Sequence, residues 1–529
     1  MRPPHAELRR REFRGHRTGR SIVLLACIGV ALALGVVAAA ASGTALSFAA
    51  AKNYTTGKGP SSVAMADLNG DRRPDLVTSN RDADTVSVLR NRGDGSFEPE
   101  RDYPTGSRPL SVEIADLNAD GKPELVVAGS TVSVLLNRGD GSFEPKREYT
   151  PGGLSAAIGD LNGDGASEIV TADGSRTVSV LINRGDGSFN AAGHYATGEG
   201  CDAVAISDVN GDGALDLITA NAADTVSVLM NRGDGSFEAK RDYATGFLPV
   251  SVAIGDLNGD GKPDIVTANN EVKTNGLSVL LNGGDGSFRN REDYETGGSW
   301  GGGAALFVAI ADLNGDGKPD LATKNGAPIS GTTDVKTTVS VLLNKGSGTF
   351  KAAHTYRTGA DDAQFGSENR LAVIDLNGDG KPDLATAQTA MGTTVSVRLN
   401  GREGSFESRL EYRTGRSPVV FVVTGDLNGD GKADVATASA SASGYKPRLG
   451  AVAVLLNTPG LCNAQYVVDL TLAAAKRTLA RVNCRLGKVS RAYSKIVKKG
   501  RVISQKPKFG AVRPGGAKVN LVVSLGRKR

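Results

Sequence analysis

A nine-residue acidic unit, D-x-N-x-D-G-x-x-[DE], recurs eight times along this chain, and a repeat of fixed period limits the available folds more than any single motif does. The copies begin at Asp67, Asp116, Asp160, Asp208, Asp256, Asp312, Asp375 and Asp426, and successive starts lie 49, 44, 48, 48, 56, 63 and 51 residues apart. That is about the length of a four-stranded propeller blade. The flanks repeat too: residues 251–288 read SVAIGDLNGDGKPDIVTANN, then LSVLLN, then GGDGSF. The alternating SVAIGD predicts a first strand, the acidic unit a turn, DIVTAN a returning strand, and LSVLLN a buried third strand. A Gly-rich turn then leads into a fourth strand from Phe288 to Tyr294, whose spacing of six puts both rings on one face for stacked blades to bury. A content of 69 Gly with 5% aromatic residues agrees with a turn-dense β protein.

Phe and Tyr six apart follow seven of the units: Phe97 and Tyr103, Phe143 and Tyr149, Phe189 and Tyr195, Phe237 and Tyr243, Phe288 and Tyr294, Phe350 and Tyr356, Phe406 and Tyr412. After the eighth, AVAVLLN runs into Thr458-Pro459-Gly460 with no such pair. Phe48 and Tyr54, in LSFAAAKNYTTG, have the same spacing and the same trailing Thr-Gly. An N-terminal strand is therefore expected to complete the last blade, which joins the chain ends and removes both sheet edges. The expected fold is mainly β: an eight-bladed β-propeller of four-stranded blades over residues 46–460, with a seven-bladed ring holding one irregular unit as the alternative. The units resemble FG-GAP or VCBS repeats, the blades of integrin-α-type propellers.

Calcium wants six to eight oxygens, and the acidic unit offers them at alternate positions, so that one turn can wrap one ion. The expected metal residues are Asp67, Asn69, Asp71 and Asp75; Asp116, Asn118, Asp120 and Glu124; Asp160, Asn162, Asp164 and Glu168; Asp208, Asn210, Asp212 and Asp216; Asp256, Asn258, Asp260 and Asp264; Asp312, Asn314, Asp316 and Asp320; Asp375, Asn377, Asp379 and Asp383; Asp426, Asn428, Asp430 and Asp434. The seventh residue of each unit would add its carbonyl. Three carboxylates and no His or Cys favour a hard cation over zinc. Asp, Asn and Gly are also ordinary turn residues, but a plain turn does not require an acid after the hairpin has reversed. Arg72 stands where the other loops have Gly, which marks the first site as the weakest. Glu124 and Glu168 are expected to shift the geometry of the second and third.

Charge divides the chain. Residues 1–45 hold 7 basic and 2 acidic side chains, residues 46–460 hold 38 and 54, and residues 461–529 hold 17 and 1, giving +5, −16 and +16. Eight calcium ions would neutralise the body. Arginines between Arg2 and Arg20, then an apolar run from Ser21 to Ala41, predict an export signal over residues 1–45, cleaved after Ala45; an uncleaved membrane anchor is the alternative. In an exported chain Cys462 and Cys484 are able to pair, leaving Cys201 as a small core filler.

In residues 461–529, VVDLTLAAAKRTLARVNC has helical spacing at Leu472, Ala475 and Leu479 behind a Thr471 cap. Three strand-like runs follow, LGKVSRAY, GRVISQKP and AKVNLVVS. With LTLAAAKRTL, GRVISQKPKFG and KVNLVVSLG, this segment resembles a PASTA domain, a small α+β module of bacterial cell-wall sensors and penicillin-binding proteins. In place of that family's usual Val-Pro opening it reads Tyr466-Val467-Val468. The resemblance implies binding to peptidoglycan or a similar wall polymer. No nucleic-acid role is expected of an exported chain that nearly lacks stacking aromatics here.

Long segments at Asn269 to Gly276, Gly297 to Leu306, Lys324 to Thr338, Thr358 to Arg370 and Ser439 to Gly450 fall on the face opposite the acidic loops. Long loops on a rigid scaffold are where binding residues concentrate, and Trp300, the sole tryptophan, lies in one of them. Arg-Gly-Asp at Arg92, Arg138, Arg184 and Arg232 becomes GGD, KGS and GRE in later units, which is how a hairpin turn behaves. No nucleophile elbow, P-loop or HExxH occurs, and His194 and His354, both just before or near the fourth-strand aromatic, where other repeats carry Asp or Glu, read as substituted surface positions. The expected protein is a monomeric, extracellular or wall-associated, non-enzymatic interaction protein that binds a glycan or protein on this rim. A secreted lyase or hydrolase acting on polysaccharide is the alternative.

Overall fold

The computed structural model describes residues 45–528 except 271–275, 298–303, 329–334, 359–370, 388–392, 402, 408, 416–417 and 440–449. The expected export signal, Trp300 and much of the expected rim fall outside the described residues. The first sheet shows how a unit folds: Pro60–Ala66, Asp75–Asn80, Thr85–Leu89 and Arg101–Pro104 pair antiparallel in chain order. Met65 lies opposite Leu76, Leu76 opposite Leu89, and Val86 opposite Tyr103. Every residue of Asp75–Asn80 is buried, because a central strand is covered by a neighbouring blade on each face. Its polar members are buried with partners: Thr78 Oγ1 donates to Asn80 Oδ1 at 3.1 Å, and Asn80 Nδ2 donates to Ser87 Oγ at 2.8 Å.

Seven sheets are built this way from consecutive strands. The eighth takes Val419–Gly425, Asp434–Ser439 and Gly450–Leu455, and its outer strand, Lys52–Thr56, comes from the other end of the chain, with Tyr54 opposite Val452. The innermost strands touch one another in order, and Pro60–Ala66 touches Val419–Gly425. The ring therefore closes with eight blades, and the seven-bladed alternative is excluded.

An apolar cluster fills each junction between blades; one holds Val77 and Val88 of the first against Val112, Leu125 and Phe143 of the second. The Phe and Tyr of a pair do share a strand region, but they do not serve each other. The Tyr of one blade packs edge-on against the Phe of the next, with centroids 4.7–5.6 Å apart, from Tyr54–Phe97 round to Tyr412–Phe48. Edge-on pairs contribute about 0.5–1.5 kcal/mol each beyond their buried area. The trailing Thr-Gly also acts across the junction. The Gly57, Gly106, Gly198, Gly246 and Gly297 N–H groups donate to Ser87, Ser133, Ser227, Ser278 and Ser340 Oγ at 2.8–3.0 Å. A Cβ on Gly198 would lie 2.6 Å from Asn221 Nδ2, so the approach excludes a side chain.

Part of the expected insertion at Lys324 to Thr338 is strand. Asp320–Pro328 and Val335–Leu342 pair as far as Pro328 opposite Val335, because residues added symmetrically to two antiparallel strands can keep their hydrogen bonds by extending the ladder.

The C-terminal segment forms the helix Leu472–Arg481, capped by Thr471 Oγ1 accepting from Ala474 N–H at 3.2 Å. Its sheet sets Arg485–Ala492 parallel to Lys518–Ser524, with Val502–Lys506 antiparallel on the other side. Tyr466-Val467-Val468 is not a strand. Val467 is instead buried, its N–H donating to Gln505 Oε1 at 2.9 Å, and pairing falls earlier, between Leu461–Asn463 and Val512–Pro514. Cys462 and Cys484 form a disulfide, and Cys201 is free and buried.

This segment is seated on the ring. One apolar cluster runs from Phe48, Leu399 and Tyr412 into Cys462, Val467 and Leu479. Asn463 bridges the backbone of Phe48, accepting its N–H at 2.9 Å and donating to its carbonyl at 2.8 Å. Gln465 accepts from Glu411 N–H at 2.7 Å, and Arg481 pairs with Glu407 at 2.6 Å.

Candidate functional site

Each acidic loop joins the innermost strand of a blade to its second strand. In the fifth, Asp256 Oδ1 accepts N–H bonds from Gly259 at 2.7 Å and Asp260 at 3.1 Å, while its Oδ2 accepts from Gly261 at 2.8 Å. Asn258 Oδ1 accepts from Asp260 N–H at 2.8 Å, and Asp260 Oδ1 from Lys262 N–H at 3.0 Å. The side-chain oxygens thus hold the turn curled around themselves. Gly259 and Gly261 have φ of 79° and 81°, the left-handed region that glycine enters without strain. Arg72 takes that region at φ 65° and still donates its N–H to Asp67 Oδ2 at 2.6 Å, so the first loop keeps its shape at a conformational cost. Ala119 also takes that region, at φ 56°, at the fourth position of the second loop, where the other loops have Gly.

The ninth residue, expected from the sequence as a metal ligand, ties its loop to the rest of the blade. All eight of these acids are fully buried at the start of their strands. One oxygen accepts from the N–H of the loop's second residue, as Leu257 does for Asp264 at 2.9 Å. The other accepts from the N–H of an asparagine ending the third strand, as Asn282 does at 2.7 Å. The longer Glu124 and Glu168 stretch this second bond to 3.4 and 3.3 Å.

Sequence reading gave no role to that asparagine, though LLN and its variants repeat in every unit. Its Nδ2 reaches the neighbouring blade. Asn91, Asn137, Asn183, Asn231, Asn282, Asn344, Asn400 and Asn457 donate to the carbonyls of Leu427, Leu68, Leu117, Leu161, Val209, Leu257, Leu313 and Leu376 at 2.6–2.9 Å. Each acceptor is the second residue of the neighbour's acidic loop. A hydrogen-bonded belt therefore runs round the whole ring, from ninth-position acid to loop backbone to the next asparagine to the next acid. The acidic loops are its links.

The loop donors are all oxygen and include three carboxylates, which fits a hard divalent cation in chemistry. Burial pushes the ninth-position carboxyl up, to about 6 for Asp75 and about 7 for Asp383, while its two N–H partners pull down and the charges at the fifth and first positions push further up. The first- and fifth-position carboxylates thus act on the ninth-position carboxyl as like charges. Among the described residues no three Asp, Glu, His or Cys side chains converge as a ready-made metal cluster. At the seventh position, the Lys122, Lys318 and Lys432 ammonium groups stand 3.1–3.5 Å from the fifth-position carboxylate, whereas the third and fourth loops have Ala166 and Ala214 there.

The Arg-Gly-Asp triplets form the hairpin turns expected of them. Asp94 Oδ1 accepts from Ser96 N–H at 2.8 Å, and the Arg138 and Arg232 guanidinium groups fold back onto the Phe143 and Phe237 carbonyls at 2.7 and 2.6 Å. His194 Nδ1 meets Ser179 Oγ at 2.9 Å, where Asp102 accepts from Ser87 in the first blade. Burial pushes the Cys201 thiol up to about 12, which suits a packing role. Lys324, also overlooked in the sequence, is fully buried and its Nζ reaches the Ala387 carbonyl of the next blade at 3.4 Å.

The sequence model of the FG-GAP-like repeat matches seven stretches between residues 67 and 437, each overlapping the next except 256–323 and 329–386, and that of the FG-GAP repeat matches 305–342. The PASTA domain model matches 466–525. Among solved structures, the V. cholerae biofilm matrix protein Bap1 is similar at 13% identity and a TM-score of 0.44, over 81% of this chain and 95% of that one. BBS1N, solved in complex with ARL6DN, is similar at 13% identity and 0.41, over 78% and 98%. Among the described residues no helix is long and apolar enough to cross a membrane.

Proposed function

We propose, on the premise that this chain belongs to the FG-GAP-like repeat family and carries a PASTA domain near its C-terminal end, that it is an exported, calcium-stabilised propeller working as a non-enzymatic interaction protein at a bacterial cell wall. The observation behind this is the union of the two parts in one chain: eight hard-oxygen loops in an acidic ring, and a strongly basic module of a kind commonly associated with peptidoglycan. In each loop the first, third, fifth and ninth side chains and the seventh carbonyl would hold the ion. A bound calcium ion supplies two positive charges among three carboxylates. The chain's own residues curl the turn and tie it to the belt. Neutralising the loops is then a way of stiffening every blade junction, because the ninth-position acid belongs to both.

The basic domain is the wall-binding part, and the face opposite the acidic loops is the surface for a glycan or protein ligand. Support for that face comes from the long segments between Asn269 and Leu277, Tyr294 and Ala304, Arg357 and Leu371, and Ser439 and Gly450, all in the later half of the ring. The test is co-sedimentation of the full chain with purified peptidoglycan stripped of attached polymers. Retention in the pellet, displaced by excess soluble muropeptide, is expected; a chain that stays in the supernatant removes the wall assignment.

A further inference from the structure

We infer that the free end of the C-terminal domain is a docking surface for a membrane bearing anionic phospholipid. The parallel pairing of Arg485–Ala492 with Lys518–Ser524 brings the ends of both strands to one edge, where the segment returning to Val502–Lys506 begins. This edge lies seven residues along the strand from Arg485, which follows the disulfide-bonded Cys484. At about 3.3 Å per residue, that places it about 23 Å from the end tied by the disulfide to Cys462.

The turn there is held in shape. Ser494 N–H donates to Gly526 O at 2.9 Å, Leu525 N–H to Ala492 O at 2.8 Å, and Gly500 N–H to Ser524 O at 2.9 Å. Ser524 Oγ donates to Val497 O at 2.7 Å. What this frame presents is apolar. Ile496 is 94% exposed and Tyr493 58%, and with Leu525 they make up three of the five exposed large hydrophobic residues among those described. Backbone hydrogen bonds that fix the turn also fix Ile496 in water, so its exposure is not a matter of a loose tail.

The surrounding charge is of one sign. Arg491, Lys495, Lys498, Lys499, Arg527 and Lys528 lie on or beside the edge, and none has a carboxylate within ion-pair distance among the described residues. The domain's one acid, Asp469, pairs with Arg501 at 3.7 Å. An apolar tip ringed by unpaired cations is complementary to an anionic bilayer, whose headgroups take the cations while the interface takes the apolar side chains. A soluble polyanion satisfies the lysines and offers nothing to Ile496, so the lipid surface is the occupant that accounts for both.

The test is flotation of the full chain with vesicles, either of phosphatidylcholine alone or containing about a third phosphatidylglycerol. Binding to the anionic vesicles and not to the neutral ones, weakening as salt rises, is expected. Ile496→Ser, at a solvent-exposed position, is expected to weaken binding about tenfold or more with an unchanged melting curve. Equal binding to both vesicle types, or Ile496→Ser binding as tightly as the parent chain, overturns the proposal. Equal affinity for a soluble phosphodiester polymer and for the vesicles overturns it too, and assigns the edge to wall polyanions.

Discussion

Phe48→Ala is expected to destabilise the chain by about 3–5 kcal/mol, and to do so by loosening the ring and the C-terminal domain together. The side chain is 1% exposed and its ring lies 4.7 Å from that of Tyr412, at the junction of the seventh and eighth blades. Its backbone is gripped by Asn463, and it belongs to the apolar cluster that continues into the C-terminal domain. The closing strand is thus held at one place by the last blade, its neighbour and the seated domain. Denaturation followed by intrinsic fluorescence and circular dichroism should show a lower midpoint. A midpoint within about 0.5 kcal/mol of the parent, the range of an inert surface substitution, would mean that the seam does not hold the ring.

Asn231→Ala should be nearly as damaging although it removes only a small polar side chain. Asn231 is 4% exposed; its Nδ2 donates to Leu215 O at 2.9 Å and across the blade junction to Leu161 O at 2.7 Å, and its Oδ1 accepts from Gly233 N–H at 2.9 Å. Each of the two carbonyls left without this partner costs about 1–3 kcal/mol, so a loss of about 2–6 kcal/mol is expected. Asn231→Asp sharpens the test. It keeps the acceptor for Gly233 but turns a carboxylate oxygen towards two carbonyls, and should be at least as destabilising as alanine. An Asp variant as stable as the parent would show that the belt does not join the blades.

The blade count was legible because the signals behind it are local. Strand alternation, the acidic turn and the Phe-to-Tyr interval each sit within one unit, and the unmatched Phe48 and Tyr54 pointed to the closing strand. What lay hidden acts between units. Asn344 and its acceptor Leu257 are 87 residues apart, and the acceptor is a main-chain carbonyl, which any residue supplies and no sequence pattern marks. The same holds for Tyr54 meeting Phe97 instead of its own strand's ring. Lys324 was read as the start of a long rim segment, where a lysine suggests exposure, so it gave no sign of its burial in a strand. The segment after Gly460 was recognisable as a separate module by composition. Its seat on the ring was not, because that depends on Asn463 and Gln465, two ordinary polar residues made specific only by the backbone groups they meet.

In the candidate loops, the spacing of oxygen donors was readable and the double duty of the ninth acid was not. In the proposed function that acid would serve both ion and belt, so that calcium uptake would raise ring stability, and a calcium titration of the folded chain followed by calorimetry tests this most directly. Uptake approaching one ion per loop is predicted, with the loop carrying Arg72 filled last and a melting temperature that climbs as the ions bind. A folded chain that takes up no more calcium than the same chain in denaturant, with one melting curve in calcium and in chelator, would contradict the account.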